Sequence, residues 1–206
     1  VARPNLVVAK LAVWIGCLIP LLWLVARGLA VSGLTLGPNP VETVLHTLGK
    51  TGLNLLLLTL AVTPARRLTG LNVLVRLRRL LGLFAFFYVL LHFLTYAALD
   101  LRLQWDTLFV DITRRPYITA GMLALAGLVP LAVTSTQAMQ RRLGRRWLSL
   151  HKTIYPVAVL AVVHFVWQTK ADLEPEPWIY AGVLAVLLGY RIVHWLRRRS
   201  ATAVAQ

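Results

Sequence analysis

RLRRLLGLFAFFYVLLHFLTYAALD, residues 76–100, opens on a basic cluster, runs apolar from 80 to 99 and closes on Asp100. The apolar part has the roughly 20 residues that a helix needs to cross the hydrocarbon core of a bilayer. One ionisable side chain, His92, stands inside it. An imidazole is costly in hydrocarbon, so a function is the default expectation for one placed there. Neutral imidazole is also a good ligand for haem iron.

Outward from this stretch the pattern repeats. Further apolar runs lie at 11–30, 44–63, 117–135, 149–167 and 178–196. The 206 residues are 58% hydrophobic and only 14% charged, with mean hydropathy +0.71. Soluble domains are about half apolar and about a quarter charged. The expected fold is therefore an all-α integral membrane protein, a single domain over 1–206 with six transmembrane helices. Pro38 and Pro40 precede the second run, Pro64 follows it, Pro116 opens the fourth, and Pro175 and Pro177 introduce the sixth. These are places where proline starts or ends helices. Pro20, Pro130 and Pro156 fall within spans, where kinks are tolerated. Gly-Pro punctuation rather than a cleavage site follows the first run, which reads as a retained helix. The sequence shows no internal repeat and no low-complexity tract.

Charge orients the helices. Arginines and lysines cluster at 76–79, 141–146 and 197–199, whereas all seven acids (Glu42, Asp100, Asp106, Asp111, Asp172, Glu174 and Glu176) fall on the other side. The excess of basic residues places both termini and the basic loops in the cytoplasm. The net charge of +15 does not point to nucleic acid, because the basic residues are split among short clusters between apolar runs. Cys17 is the only cysteine. That excludes an intramolecular disulfide, a cysteine-ligated iron–sulfur cluster and covalent haem attachment through C-x-x-C-H.

The third and fifth spans run in the same direction. His92 in the third and His164 in the fifth come to matching depth in the outer half, as expected of two axial ligands to one haem. His151 begins the fifth span, thirteen residues before His164, or about 20 Å of helical rise. A second haem there would complete a ladder across the bilayer. No histidine opposes His151, however; the corresponding region of the third span holds Arg78 and Arg79. A guanidinium suits a haem propionate better than iron. His151 and His164 also point about 140° apart on an ideal helix. A solvated His151 at the membrane edge is the alternative. His46 and Lys50 lie one turn apart on the second span. Lys50 either snorkels outward or pairs with an anion such as a propionate, and His46 is a further candidate beside it.

Four runs carry a family resemblance: residues 76–100, DITRRPYITAG at 111–121, TSTQAMQRRLGRRWLSLHKTIYP at 134–156 and VVHFVWQTK at 163–170. Together they resemble the MsrQ (YedZ) family, haem-binding membrane subunits of the bacterial methionine sulfoxide reductase system, among the ferric-reductase-like transmembrane haem proteins. The TSTQAMQ run followed by a basic loop and RW-x₃-H is the most specific part. Members of the wider group typically carry two histidines on each of two helices; the third span here has only His92. The resemblance implies b-type haem, one or two per chain, held by His92, His164 and His151. It also implies an inner-membrane location and electron delivery to a periplasmic molybdopterin-containing subunit that reduces methionine sulfoxide in oxidised proteins. The implied donor is the quinone pool or a cytosolic flavin reductase, with FMN as a possible cofactor.

No G-x-G-x-x-G fingerprint is present. FMN would have to place its phosphate among Arg78, Arg79, Arg141, Arg142, Arg145 and Arg146. The expected role is electron relay, entering at the basic side and leaving near loops 100–116 and 168–177, with sulfoxide reduction on the partner. Two rivals remain: a ferric or quinone reductase acting without a dedicated partner, and a small proton-coupled transporter using Lys50 and the histidines. Haem absorbance separates the transporter from the redox readings.

Overall fold

The computed structural model describes residues 5–169 and 175–204. Arg3, Asp172 and Glu174, and with them much of the expected outer loop 168–177, lie outside the described residues. Nine α-helices are found among the described residues: α1 Leu6–Gly28, α2 Pro40–Thr69, α3 Val73–Thr95, α4 Trp105–Arg114, α5 Pro116–Val133, α6 Gln137–Leu143, α7 Arg145–His151, α8 Ile154–Gln168 and α9 Glu176–Val204. A π turn, Tyr96–Asp100, extends α3. No strand occurs among these residues. Six stretches are long and apolar enough to span a membrane: Leu6–Gly28, Pro40–Thr69, Val73–Asp100, Pro116–Val133, Arg145–Gln168 and Glu176–Arg197. The chain is a multi-pass membrane protein built of helices.

Large side chains such as Ile19, Leu22, Leu58, Leu123 and Val186 are more than half exposed. In a bilayer such surfaces meet acyl chains, and helix association then depends on close packing rather than on apolar burial. Two helix pairs are packed most extensively, α2 with α3 and α5 with α8. Each pair approaches at a glycine. A Cβ on Gly52 would lie 2.8 Å from Val89 Cγ2, and one on Gly127 would collide with Val157 Cγ2. Leu56, Leu60, Ala85, Tyr88 and Ala158 are almost fully enclosed around these contacts. The Tyr88 hydroxyl donates to the Cys17 carbonyl and ties α3 to α1.

The helices depart from the expected boundaries for identifiable reasons. Asn39 caps α2, its side chain accepting from the Glu42 amide at 3.4 Å, so α2 begins before residue 44. It also continues past residue 63 with Pro64 inside it, ending at Gly70, whose φ of 72° provides a left-handed C-cap. Pro64 has no N–H for the Leu60 carbonyl four residues earlier. Arg191 of α9 takes that carbonyl instead, Nη2 donating at 2.5 Å while Nη1 donates to Leu187 at 2.8 Å.

The fifth span is interrupted. α7 stops at His151 and α8 starts at Ile154. Pro156 cannot donate to the Lys152 carbonyl, which accepts from the Tyr155 amide at 3.2 Å instead. The stretches expected as loops contain helices: α4 on the acidic side, α6 and the start of α7 on the basic side. In α4 one face buries Leu108 and Asp111 while Trp105, Phe109 and Val110 are exposed.

Candidate functional site

His92 on α3 and His164 on α8 are held by the same device. His92 Nδ1 lies 2.9 Å from the Leu45 carbonyl oxygen of α2, and His164 Nδ1 lies 2.6 Å from the Tyr117 carbonyl oxygen of α5. A carbonyl only accepts, so each Nδ1 bears the proton and each Nε2 keeps its lone pair. Neither Nε2 has a protein hydrogen-bond partner among the described residues. One turn after each carbonyl stands a glycine against the ring. A Cβ on Gly49 would lie 3.1 Å from His92 Nδ1, and one on Gly121 would lie 2.8 Å from His164 Nδ1. Tyr117, Gly121 and His164 each follow Leu45, Gly49 and His92 by 72 residues. The two best-packed helix pairs thus repeat one arrangement.

The two rings meet with centroids 6.1 Å apart and planes at 76°. Both line a cavity of about 700 Å³, a volume typical of cofactor pockets, which run from about 300 to 1,000 Å³. Leu53, Leu56, Leu125 and Leu128 make its apolar depth, whereas Glu42, Lys50, Asp100 and Arg115 lie where the wall nears the acidic side. Two imidazoles that each keep an unprotonated Nε2 in one cavity could together hold one haem. The free Nε2 atoms and the glycines that clear space beside both rings fit a haem.

The other sequence candidates divide between the two sides. Lys50 lines the cavity, its Nζ 2.5 Å from Glu176 Oε2 and 5.9 Å from the centre of the Phe165 ring. His46 also lines it and accepts through Nε2 from the Gln168 side-chain amide at 3.2 Å, joining α2 to α8. His151 is not in that wall. Its ring stacks on Trp147 at 3.9 Å, and its Nε2 lies 3.2 Å from Thr134 Oγ1. The Thr134 hydroxyl donates to Pro130 at 2.6 Å, so it accepts from His151, whose Nε2 therefore carries the proton. Trp147 Nε1 donates to the Thr134 carbonyl at 2.9 Å and completes this cluster. Arg78 is half-buried near His151, Tyr155 and Arg191. Arg79, Arg141, Arg142, Arg145 and Arg146 are exposed on the basic side.

Sequence reasoning missed Gly49, Gly121, Arg115 and Glu176. The common spacing of 43 residues from each glycine to its histidine was the available signal. Arg115 precedes α5, its Nε 3.2 Å from Asp111 Oδ1 and its Nη1 3.3 Å from the Tyr117 hydroxyl. The Tyr117 hydroxyl and then the Asp111 carboxylate hold the guanidinium above its ordinary pKa, so Arg115 is cationic at any physiological pH.

Residues 48–162 match the model of the ferric reductase like transmembrane component. That segment includes His92 and stops just short of His164. The chain is 52% identical over 191 residues to the protein-methionine-sulfoxide reductase heme-binding subunit MsrQ of Rhodospirillum rubrum, covering 92% of this chain and 90% of the relative. It is 53% identical over 168 residues to the protein of the same description from Xanthomonas campestris pv. campestris, covering 82% and 77% respectively. The chain therefore belongs to the MsrQ family and carries the ferric reductase like transmembrane component.

Proposed function

We propose that this chain is a b-type cytochrome of the bacterial inner membrane. It passes single electrons from its basic side, in the cytoplasm, to a periplasmic methionine sulfoxide reductase subunit with a molybdopterin centre. The observation that carries this reading is the meeting of His92 and His164, 6.1 Å apart with both Nε2 atoms free, in one cavity.

Those two residues would hold a haem, which supplies one-electron exchange between ferric and ferrous iron. The Leu45 and Tyr117 carbonyls fix both tautomers and make both imidazoles better donors to a metal. A haem held by two imidazoles would serve electron transfer rather than oxygen chemistry. The apolar wall keeps water away and favours the less charged state of whatever it encloses.

The cavity lies nearer the acidic side, where the electron would leave. Exposed Asp106 and Glu42 there would help a soluble partner to find its orientation, chiefly by raising encounter rate and specificity. At the other side, Arg141, Arg142, Arg145 and Arg146 present a cationic surface to the donor, either quinone or a flavin reductase, and would receive the phosphate of FMN if one binds. His151, with Trp147 and Thr134, stands between that surface and His164 on the entry path. While His151 Nε2 donates to Thr134, a second haem there would have only Nδ1 as its ligand.

The test is optical. Purified protein is expected to show a Soret band and sharp α and β bands on reduction, and to reoxidise with methionine sulfoxide only when the catalytic subunit is added. A folded, colourless sample from iron-replete cells would overturn the proposal. Equal reoxidation by free ferric chelates without the partner would favour a stand-alone reductase.

A further inference from the structure

The geometry points to Lys50 and Arg115 as a two-cation clamp for the two carboxylates of the macrocycle, with Glu176 competing for Lys50. The inference rests on the haem reading above. A b-type haem brings two propionates, and an ionised carboxylate near a low-dielectric wall needs a cationic or hydrogen-bonding partner. Among the described residues, Lys50 and Arg115 are the lysine and the arginine in the cavity wall. They come from separate elements, α2 and the residue preceding α5.

Each cation already holds a carboxylate of the chain, and the two carboxylates differ in kind. Asp111 is buried, at 7% exposure, and is engaged on both oxygens: Oδ2 accepts from the Tyr96 hydroxyl at 2.6 Å and Oδ1 lies 3.2 Å from Arg115 Nε. It is an orienting partner that stays in place. Arg115 uses Nε on Asp111 and Nη1 on Tyr117, which leaves guanidinium donors for a second carboxylate. Glu176 is the first residue of α9, its side chain 38% exposed, and Lys50 is its ion-pair partner. Water can solvate Glu176 once it is released. Arg115 therefore adds a carboxylate, whereas Lys50 exchanges one for another.

Exchange makes a prediction of opposite sign for the two members of one ion pair. In the haem-loaded protein, Lys50→Gln and Arg115→Gln each lower the midpoint potential, because a nearby cation favours the electron-rich state of the iron. Each also speeds haem loss roughly fivefold, the scale of one charge-assisted hydrogen bond at a half-exposed site. Glu176→Gln raises the potential and slows haem loss, since it removes both a negative charge and the competitor. Charge alone would give opposite potential shifts for any such pair, so haem loss discriminates: a Lys50–Glu176 pair that merely ties α2 to α9 would make both substitutions speed it.

A second arm removes the carboxylates rather than the cations. Wild-type protein loaded with haem dimethyl ester is expected to lose it faster than either single-cation variant loses haem, at about the rate of the double variant, and the cation substitutions add no further loss of the ester. Unchanged haem retention in Lys50→Gln and Arg115→Gln, faster haem loss in Glu176→Gln, or equal retention of haem and its ester would each overturn the clamp. Coloured protein insensitive to all three substitutions removes the clamp alone. A colourless wild type removes the haem reading and the clamp with it.

Discussion

Gly121 and Gly49 have no side chain because the histidine rings stand where one would be. A methyl group on Gly121 would sit 2.8 Å from His164 Nδ1, inside contact distance, and one on Gly49 would sit 3.1 Å from His92 Nδ1. Neither ring can swing away freely, since each is pinned by its carbonyl partner. Gly121→Ala should therefore displace His164, lower haem occupancy and alter the low-spin spectrum, with Gly49→Ala giving a smaller change of the same kind. Haem content per protein with the spectrum of the ferric form checks this, and normal values in Gly121→Ala would show that the ring is not fixed by its glycine. His92 and His164 were legible in the sequence because an imidazole in an apolar run is conspicuous. Their supports were not. A backbone carbonyl leaves no mark on sequence, and a glycine in a membrane helix has many ordinary reasons to be there. Lys50 was legible as a charge in an apolar span, but its neighbour Glu176 is 126 residues away and becomes a partner only through packing of α9.

Among the helices, α2 and α9 meet through a missing hydrogen bond. Pro64 leaves the Leu60 carbonyl unsatisfied, and Arg191 supplies the donor from the other helix. An unpaired carbonyl in a membrane core is costly, so the proline makes the arginine necessary. Arg191→Met should lower the stability by about 1–3 kcal/mol, the cost of leaving a buried carbonyl without a donor. In a Pro64→Ala background the restored amide serves Leu60, and the same substitution should cost much less. Thermal unfolding of the four proteins of this cycle in detergent measures the coupling; strictly additive effects would dissociate the two residues. The spans themselves were legible from apolar length. The interruption between α7 and α8 was readable only as a proline, and α4 was hidden because ten residues with one buried face carry too few apolar positions to stand out from a loop. The likeness between the α2–α3 and α5–α8 pairs resides in two glycines, two carbonyls and two histidines, too few identities for a sequence repeat.

At the scale of the molecule, charge is separated along the bundle and the histidines are separated between its halves. His92 belongs to one helix pair and His164 to the other, so the cavity exists only when both pairs are assembled. A cofactor ligated from both would act as a cross-link between them, stabilising the folded state by mass action. The depth match of the third and fifth spans was legible from alternating helix direction, which required no knowledge of packing. The offset of His151 was legible too, but its bond to Thr134 depends on how the broken span folds back onto α5. The central claim is that one haem is ligated by both halves. Haem stoichiometry together with low-temperature electron paramagnetic resonance of wild type, His92→Ala, His164→Ala and His151→Ala tests it most directly. The expected result is a low-spin bis-imidazole signal that disappears with either His92 or His164 and survives loss of His151. Retention of that signal, at full haem content, in both His92→Ala and His164→Ala would contradict it.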